Sequence, residues 1–202
     1  SCWWISTTLP EKHITKVYTT AVVLCPSRET AAPIQAIREK YDRNASRWMP
    51  HITLLYPFGP YEEFDSLLPN IAAGSAAVEP FRIQLDKFRT FRRGRAGHTL
   101  WLDPFPADPV VVLQRALWAQ LPVFDDVQQF ANGFTPHLSI GQVADDIECD
   151  RVLLELRELW APATFNVDRV TLIWRRDPPD DRFRVYREIM LGTGEVVTPT
   201  DT

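Results

Sequence analysis

One short phrase occurs twice in this chain and sets the main constraint on its fold. Residues 50–54 read Pro-His-Ile-Thr-Leu, and residues 136–140 read Pro-His-Leu-Ser-Ile. Alternate residues of a β-strand lie on the same face, so each histidine shares a face with the hydroxyl residue two positions later. The aliphatic residues lie on the opposite face. The repeat therefore predicts two strands, each with one polar face and one face packed in a core.

The hydrophobic patterns predict strands and helices that alternate along the chain on both sides of each phrase. Two such sets of elements favour a duplicated unit: a bilobal α+β fold with a mainly antiparallel sheet and flanking helices in each lobe, around a central cleft. No change of composition marks a linker, so we expect one domain over residues 1–202, with an N-terminal extension over 1–16 and a flexible tail over 193–202. Strands are predicted over residues 17–25, 49–56, 81–92, 98–103, 135–143, 165–176 and 182–191, and helices over 28–42, 61–73, 108–121 (capped by Asp108) and 148–159.

The charge and the cysteines limit the partners and the compartment. A net charge of −4 and a pI of about 5.6 argue against a protein that coats duplex nucleic acid, whereas a nucleotide or an RNA end is compatible with them. No apolar run reaches the roughly 18 residues that cross a bilayer, so we expect no membrane partner.

Cys2, Cys25 and Cys149 are scattered and odd in number, which favours an intracellular location, cytoplasmic or nuclear. The chain begins with Ser1, as a processed chain or part of a larger one would, and we expect a monomer.

The doubled phrase supplies the groups needed to hydrolyse a phosphodiester. This reaction needs a base that takes a proton from water and an acid that protonates the departing oxygen, and histidine can be either near neutral pH. His51 and His137 are therefore the candidate catalytic pair, and Thr53 and Ser139 are candidates to donate hydrogen bonds to the phosphate oxygens. The scheme requires no metal and no cofactor. We favour His137 as the base and His51 as the acid. A substrate bound in the opposite orientation would exchange these two roles.

These motifs resemble those of the 2H phosphoesterase superfamily, which includes the 2′-5′ RNA ligase-like proteins and the cyclic phosphodiesterases. Residues 47–58 and 134–140 resemble the two motifs of the 2′-5′ RNA ligase-like branch, and residues 184–192 resemble its closing strand. Ser139 stands where many relatives carry threonine. The resemblance implies two pseudo-symmetric lobes around a cleft, with the two histidines and two hydroxyl residues as the catalytic set. It also implies a phosphodiesterase acting on a nucleotide or an RNA 3′ end with a 2′,3′-cyclic phosphate or a 2′-5′ linkage.

Three other interpretations stay open from the sequence. One is an interaction domain excised from a larger protein, whose partner surface would lie away from the cleft. A zinc site would use both histidines, but a third protein ligand is usual, and no histidine, cysteine or carboxylate stands beside either phrase at ligand spacing. A catalytically idle domain of a larger protein, which binds nucleotides or RNA ends, would keep the cleft and lose turnover.

Several residues outside the phrases are candidates to bind the substrate. Phe58 and Phe134 lie near the phrases and are predicted to stack on a nucleobase, and Arg175 is predicted to meet a phosphate. The basic segment 82–95 is expected to be a solvated hairpin, with electrostatic guidance of a phosphate-bearing ligand as the alternative.

The alternation of side chains also assigns faces to residues beside the phrases. Gly141 is expected to leave room for a ligand on the polar face, whereas Tyr56 is expected in the core. His98 is expected to have no catalytic part, and most of the seven tryptophans are expected to fill the core.

Overall fold

The computed structural model describes residues 15–95, 97–129 and 133–199, so most of the predicted N-terminal extension and the end of the predicted tail lie outside the described residues. The described residues form an α+β fold, as the sequence predicts, and none of their helices is both long and apolar enough to span a bilayer. The elements follow in this order: β1 (Thr20–Leu24), α1 (Arg28–Tyr41), β2 (Ile52–Leu55), α2 (Phe64–Ala76), β3 (Phe81–Arg92), β4 (His98–Phe105), α3 (Asp108–Gln120), β5 (Leu138–Val143), α4 (Asp146–Leu159), β6 (Ala163–Val167), β7 (Arg169–Trp174), β8 (Arg184–Met190) and β9 (Val196–Val197), with 3₁₀ helices at Tyr61–Glu63 and Asp126–Gln128.

The strands of the described residues form one sheet in the order β6-β3-β4-β5-β2-β1-β7-β8-β9, and all neighbouring pairs are antiparallel. The two strands that carry the histidine phrases, β2 and β5, lie side by side at its centre. They pair only through Ile52 and Leu138, whereas the pairs on either side of them share several residues. The sheet therefore consists of two halves, β6-β3-β4-β5 and β2-β1-β7-β8-β9, that meet at a short central junction.

The helices tie the two halves together. Helix α1 follows β1 in one half but packs against β5 in the other, and α3 follows β4 but contacts β2. All four described helices contribute side chains to the main apolar core on one face of the sheet. Because each half supports a helix that starts from the other half, the halves form one body.

The opposite face of the sheet, which we call the open face, carries a smaller apolar cluster. Ala21, Val23 and Ile173 form this cluster with Phe183, and Trp48 is among the half-buried residues that pack against it. The strand residues of this cluster lie on β1 and β7, in one half of the sheet. The β6-β3-β4-β5 half contributes no residue to this apolar cluster among the described residues.

Polar residues that precede two of the helices fix where these helices begin. The Ser27 hydroxyl accepts a hydrogen bond from the Thr30 N–H, and the Asp145 carboxylate accepts one from the Glu148 N–H, at the starts of α1 and α4. The prediction that Asp108 caps α3 is wrong. The capping position is Ala107, which gives no side-chain hydrogen bond, and Asp108 lies in the first turn.

Two predictions near the C-terminal end need correction. Residues 165–176, predicted as one strand, belong to β6 and β7, which lie in different halves of the sheet, beside β3 and β1. Asp168 separates them, and it accepts a hydrogen bond from the Arg169 side chain at 2.8 Å. The predicted loose tail includes β9, which pairs with β8.

The prediction that Gly141 leaves room for a ligand is also wrong. Strand β4 pairs Leu100 with Gly141 and Trp101 with Ser139, so β5 has one extra residue between these pairs. This bulge shifts the alternation of faces, and Gly141 turns toward the helices. A Cβ at Gly141 would lie 2.5 Å from the Cβ of Tyr41 and 2.8 Å from its carbonyl oxygen. The missing side chain therefore lets the end of α1 approach β5.

Gly141→Ala should lower the free energy of unfolding by about 1–3 kcal/mol, because the added methyl group overlaps the Tyr41 backbone and forces α1 away from the sheet. Chemical denaturation measures this loss. Ser139→Ala, on the same strand but the open face, is the matched control and should change the free energy by less than about 1 kcal/mol. A Gly141→Ala protein as stable as the parent would contradict the close approach.

Candidate active site

The two histidines stand immediately before the strands that meet at the centre of the sheet. Extending the Ile52–Leu138 register by one residue in each direction sets His51 opposite Ser139 and Thr53 opposite His137. All four side chains are half-buried, whereas their aliphatic neighbours in the phrases are fully buried. The structure therefore brings the four predicted residues together on the open face, in two crossed pairs.

Both imidazole rings are held by the backbone in the same way. Nδ1 of His51 lies 2.7 Å from the carbonyl oxygen of Met49, and Nδ1 of His137 lies 2.8 Å from that of Thr135. A carbonyl oxygen only accepts hydrogen bonds, so Nδ1 carries the proton in each ring. The tautomer is thereby fixed, and Nε2 is the nitrogen that takes up or gives a proton.

The aromatic neighbours of the two histidines differ. Trp48 stacks on His51 with ring centroids 4.8 Å apart, and the same indole contacts Phe183 at 3.7 Å. His137 instead meets Phe91 and Trp101 edge-on, at 5.0 and 5.9 Å. The two local arrangements therefore share a backbone geometry but not an environment.

Burial is the main cause that lowers the pKa of His51 to about 4; the nearby positive charges of Arg38 and His137 act in the same direction, and the Met49 hydrogen bond and Asp42 oppose it. Burial also lowers the pKa of His137, and the charge of Arg93 acts in the same direction. The larger shift is that of His51. Both rings are therefore mostly neutral at pH 7 in the ligand-free protein, and His51 is the harder one to protonate.

A buried ion pair lies close to His51. Arg38 and Asp42 are 2% and 8% exposed, and their side chains are 2.9 Å apart. The guanidinium also donates to the carbonyl oxygen of Trp48 at 2.8 Å. Arg38 thus connects the end of α1 to the segment whose indole stacks on His51.

The three residues predicted to bind the substrate outside the phrases, Phe58, Phe134 and Arg175, lie in three different environments. Phe58 has no exposed surface and packs on Phe64 and Phe124 in the main core, so the prediction that it stacks on a nucleobase is wrong. Phe134 is half-buried and packs against the same core, on the side of the sheet away from His137. Arg175 is half-buried beside the open-face cluster, with its guanidinium 5.6 Å from the Phe183 ring, and it stays a candidate.

Tyr56 and His98 also have defined places. Strand β2 ends at Leu55, so the alternation does not extend to Tyr56, which packs against the open-face cluster and meets Trp48 edge-on at 5.4 Å. The expectation that Tyr56 belongs to the core beneath the sheet is therefore wrong. His98 Nε2 lies 2.6 Å from the Asp146 carboxylate at the start of α4.

Sequence reasoning missed the ring neighbours of the histidines and the Arg38–Asp42 pair. Trp48 and Trp101 were among the tryptophans expected to fill the core, and Phe91 lies in the segment expected to be a solvated hairpin. The four-residue spacing of Arg38 and Asp42 is a visible signal, but surface pairs show the same spacing. Within residues 15–95, 97–129 and 133–199, no group of three His, Cys, Asp or Glu side chains is placed to hold a metal ion.

Comparison with known proteins places this fold and site in a family. A family model described as the 2′-5′ RNA ligase superfamily matches residues 26–179, which include both phrases. The chain therefore belongs to this superfamily, and the predicted likeness to the 2H phosphoesterases is confirmed.

The relatives agree with this assignment. A protein of Oceanobacillus iheyensis named "Putative phosphoesterase" is 27% identical over 172 residues, which cover 85% of this chain and 96% of that protein. E. coli LigT, solved with 3′-AMP, has a TM-score of 0.58 at 18% identity and covers 86% of this chain and 98% of its own. TT0787 of Thermus thermophilus has a TM-score of 0.56 at 17% identity, with 88% and 100% covered. The solved structures share the fold, and the family and the relatives' names indicate phosphoesterase activity.

Arg38→Met should lower the free energy of unfolding by about 3–5 kcal/mol, because it leaves the Asp42 carboxylate buried without its counter-charge. The double variant Arg38→Met/Asp42→Asn removes this charge and keeps an acceptor for the Asn44 N–H and the Gln142 amide, so it should recover part of the loss. Chemical denaturation of the single and double variants measures both values. A double variant no more stable than the single one would show that the buried charge is not the cause.

Proposed function

We propose that the chain is a phosphodiesterase that hydrolyses a 2′,3′-cyclic phosphate or a 2′-5′ linkage of a nucleotide or an RNA 3′ end. The observation that carries the proposal is the pair of imidazoles at the central junction, each fixed through Nδ1 and each set across from a hydroxyl residue. The LigT structures with 3′-AMP and with phosphate support a ribonucleotide phosphate as the ligand of this fold. The free thiols Cys25 and Cys149 are compatible with an intracellular location.

The reaction requires two proton transfers on opposite sides of one phosphorus atom. One neutral histidine takes a proton from water through Nε2, and the water oxygen forms a bond to phosphorus. The bond between phosphorus and the ribose oxygen breaks, and the protonated histidine gives its Nε2 proton to that oxygen. Thr53 and Ser139 donate to the non-bridging oxygens, where negative charge increases in the transition state. The products are a phosphomonoester and a free hydroxyl group.

The environments of the two rings favour His51 as the base and His137 as the acid. A pKa of about 4 keeps His51 neutral over most of the pH range, as a base requires. A bound anionic phosphate raises the pKa of both rings, and the ring with the smaller downward shift, His137, is then the easier one to protonate. This assignment reverses the one favoured from the sequence.

His51→Ala and His137→Ala should each lower kcat by about 10²- to 10⁴-fold, because each removes a proton-transfer group. The test uses 2′,3′-cyclic mononucleotides, 2′-5′ oligoadenylate and a uridylate-tailed RNA, with products identified by mass. His98→Ala, which removes an imidazole bound to Asp146, is the control and should keep the parent rate. The scheme also predicts full activity in EDTA. Binding of these ligands by the parent protein without turnover of any of them would favour the idle binding domain instead.

The pH profile of kcat/KM should be bell-shaped, with its maximum between about pH 4 and pH 6.5. Activity rises as His51 loses its proton through its pKa of about 4, and falls as His137 loses its proton through a pKa below 6.5. In His51→Ala the residual activity should lose the acidic limb of the bell, because the base is gone. A profile of the parent protein that stays flat up to pH 8 would contradict the lowered pKa of the acid.

A further inference from the structure

We infer that Arg38, Asp42 and Gln142 form a positioning network that fixes the His51 imidazole relative to the strand that follows the other histidine. The inference rests on the proposed function, since the position of His51 matters for the rate only if this ring transfers a proton. The three residues act through the segment before His51 and are positioning residues, not catalytic ones.

The segment before the first phrase, residues 43–51, depends on side chains for its position. It contains no strand residue, and its internal backbone hydrogen bonds close only local turns, such as the one from the Trp48 N–H to the Asn44 carbonyl at 3.1 Å. Yet this segment supplies both groups that hold the ring of His51, the stacked indole of Trp48 and the carbonyl oxygen of Met49. The contact that fixes the peptide between Trp48 and Met49 therefore fixes the imidazole as well.

Arg38 holds that peptide from helix α1. Its guanidinium donates to the Trp48 carbonyl oxygen at 2.8 Å, and its Nε and Nη2 both lie 2.9 Å from one carboxylate oxygen of Asp42. Both side chains are buried, so these bonds form in an interior of low dielectric constant, where they are strong. The charges of the pair also reach His51, since that of Arg38 lowers the pKa of the imidazole and that of Asp42 raises it.

Gln142 extends the network to strand β5. Its amide nitrogen donates to the second carboxylate oxygen of Asp42 at 3.1 Å, and its amide oxygen accepts from the Arg43 N–H at 3.3 Å. Strand β5 follows His137 directly and lies in the half of the sheet to which β2 does not belong. The network therefore fixes His51 relative to the strand of the opposite phrase, although the two strands pair through one residue pair only.

The ring of His137 has no counterpart of this network among the described residues. The Phe134 carbonyl corresponds to the one that Arg38 holds, yet it accepts no side-chain hydrogen bond from residues 15–95, 97–129 or 133–199. The two imidazoles thus share a backbone hydrogen bond but differ in how it is supported. His137 is for this reason an internal reference for any change at His51.

Gln142→Met tests the network, because it keeps the size of the side chain and removes both of its hydrogen bonds. Nitrogen-15 NMR of the imidazole rings at pH 7 is the measurement, and it needs no substrate. In the parent protein each ring should show one protonated and one unprotonated nitrogen, as a fixed neutral tautomer requires. In Gln142→Met the two nitrogen signals of His51 should move toward each other as the tautomer is released, and those of His137 should stay unchanged.

Turnover of the 2′,3′-cyclic and 2′-5′ substrates is the second measurement. Gln142→Met should lower kcat by roughly 5- to 100-fold and change KM by less than about threefold, because the base is displaced while the phosphate-binding hydroxyls remain. Gln129→Met removes an amide that donates to Asp125 at 3.2 Å, outside the network, and is the matched control. It should keep the parent rate and the parent signals of both rings.

Arg38→Lys approaches the same network from the other side. It keeps the positive charge beside Asp42 but replaces the planar guanidinium with a single ammonium, which cannot hold the carboxylate and the Trp48 carbonyl together. The same selective change at His51 is expected. Unchanged His51 signals in either folded variant, or equal changes in both rings, would overturn the positioning role. A parent protein that hydrolyses none of the substrates, with the selective change at His51 still present, would contradict the proposed function and leave the network intact.

Discussion

The pairing of β2 with β5 through one residue pair is the interaction on which both the sheet and the candidate site depend. Pro50 and Pro136 have no N–H to donate, so neither strand continues its hydrogen-bond ladder backward through the residue before its histidine. The strands therefore overlap only at their first residues, Ile52 and Leu138. The histidines lie just outside this overlap, and the carbonyl oxygens of Met49 and Thr135 are free to accept hydrogen bonds from the imidazoles. The proline of each phrase thus matters as much as its histidine, because it ends the ladder where the side chain must be available.

The same phrase produces two chemically different histidines because the surroundings are not repeated. His51 has an indole stacked on it and a buried guanidinium close by, whereas His137 has two rings edge-on and an exposed arginine nearby. Local sequence sets the position and tautomer of each ring, and tertiary packing sets how easily it is protonated. A pair of groups whose environments separate their pKa values is what a reaction with one base and one acid requires.

The sequence predicts those features that depend on short-range periodicity. It predicts the strands around both phrases and the shared face of His51 with Thr53 and of His137 with Ser139, because the two-residue alternation holds inside a regular strand. It fails where that regularity stops, at the bulge before Gly141 and at the end of β2 before Tyr56. It also fails where partners are distant along the chain, as for β6 and β7 and for the stacking of Phe91 on Trp101. Nearness in sequence misleads for Phe58, because the chain leaves the open face and enters the core within a few residues.

The crossed arrangement of the site explains why the two halves must be held so firmly. Extending the Ile52–Leu138 register by one residue sets His51 opposite Ser139 and His137 opposite Thr53, so each facing pair takes one member from each half. One residue pair is a weak connection between two sheet halves, because isolated two-stranded pairings are marginal in water. The exchanged helices supply the remaining support: α1 crosses to β5, where Gly141 admits it, and α3 crosses to β2. The junction can therefore stay short enough to leave the histidines accessible while the helices on the other face keep the two halves in register.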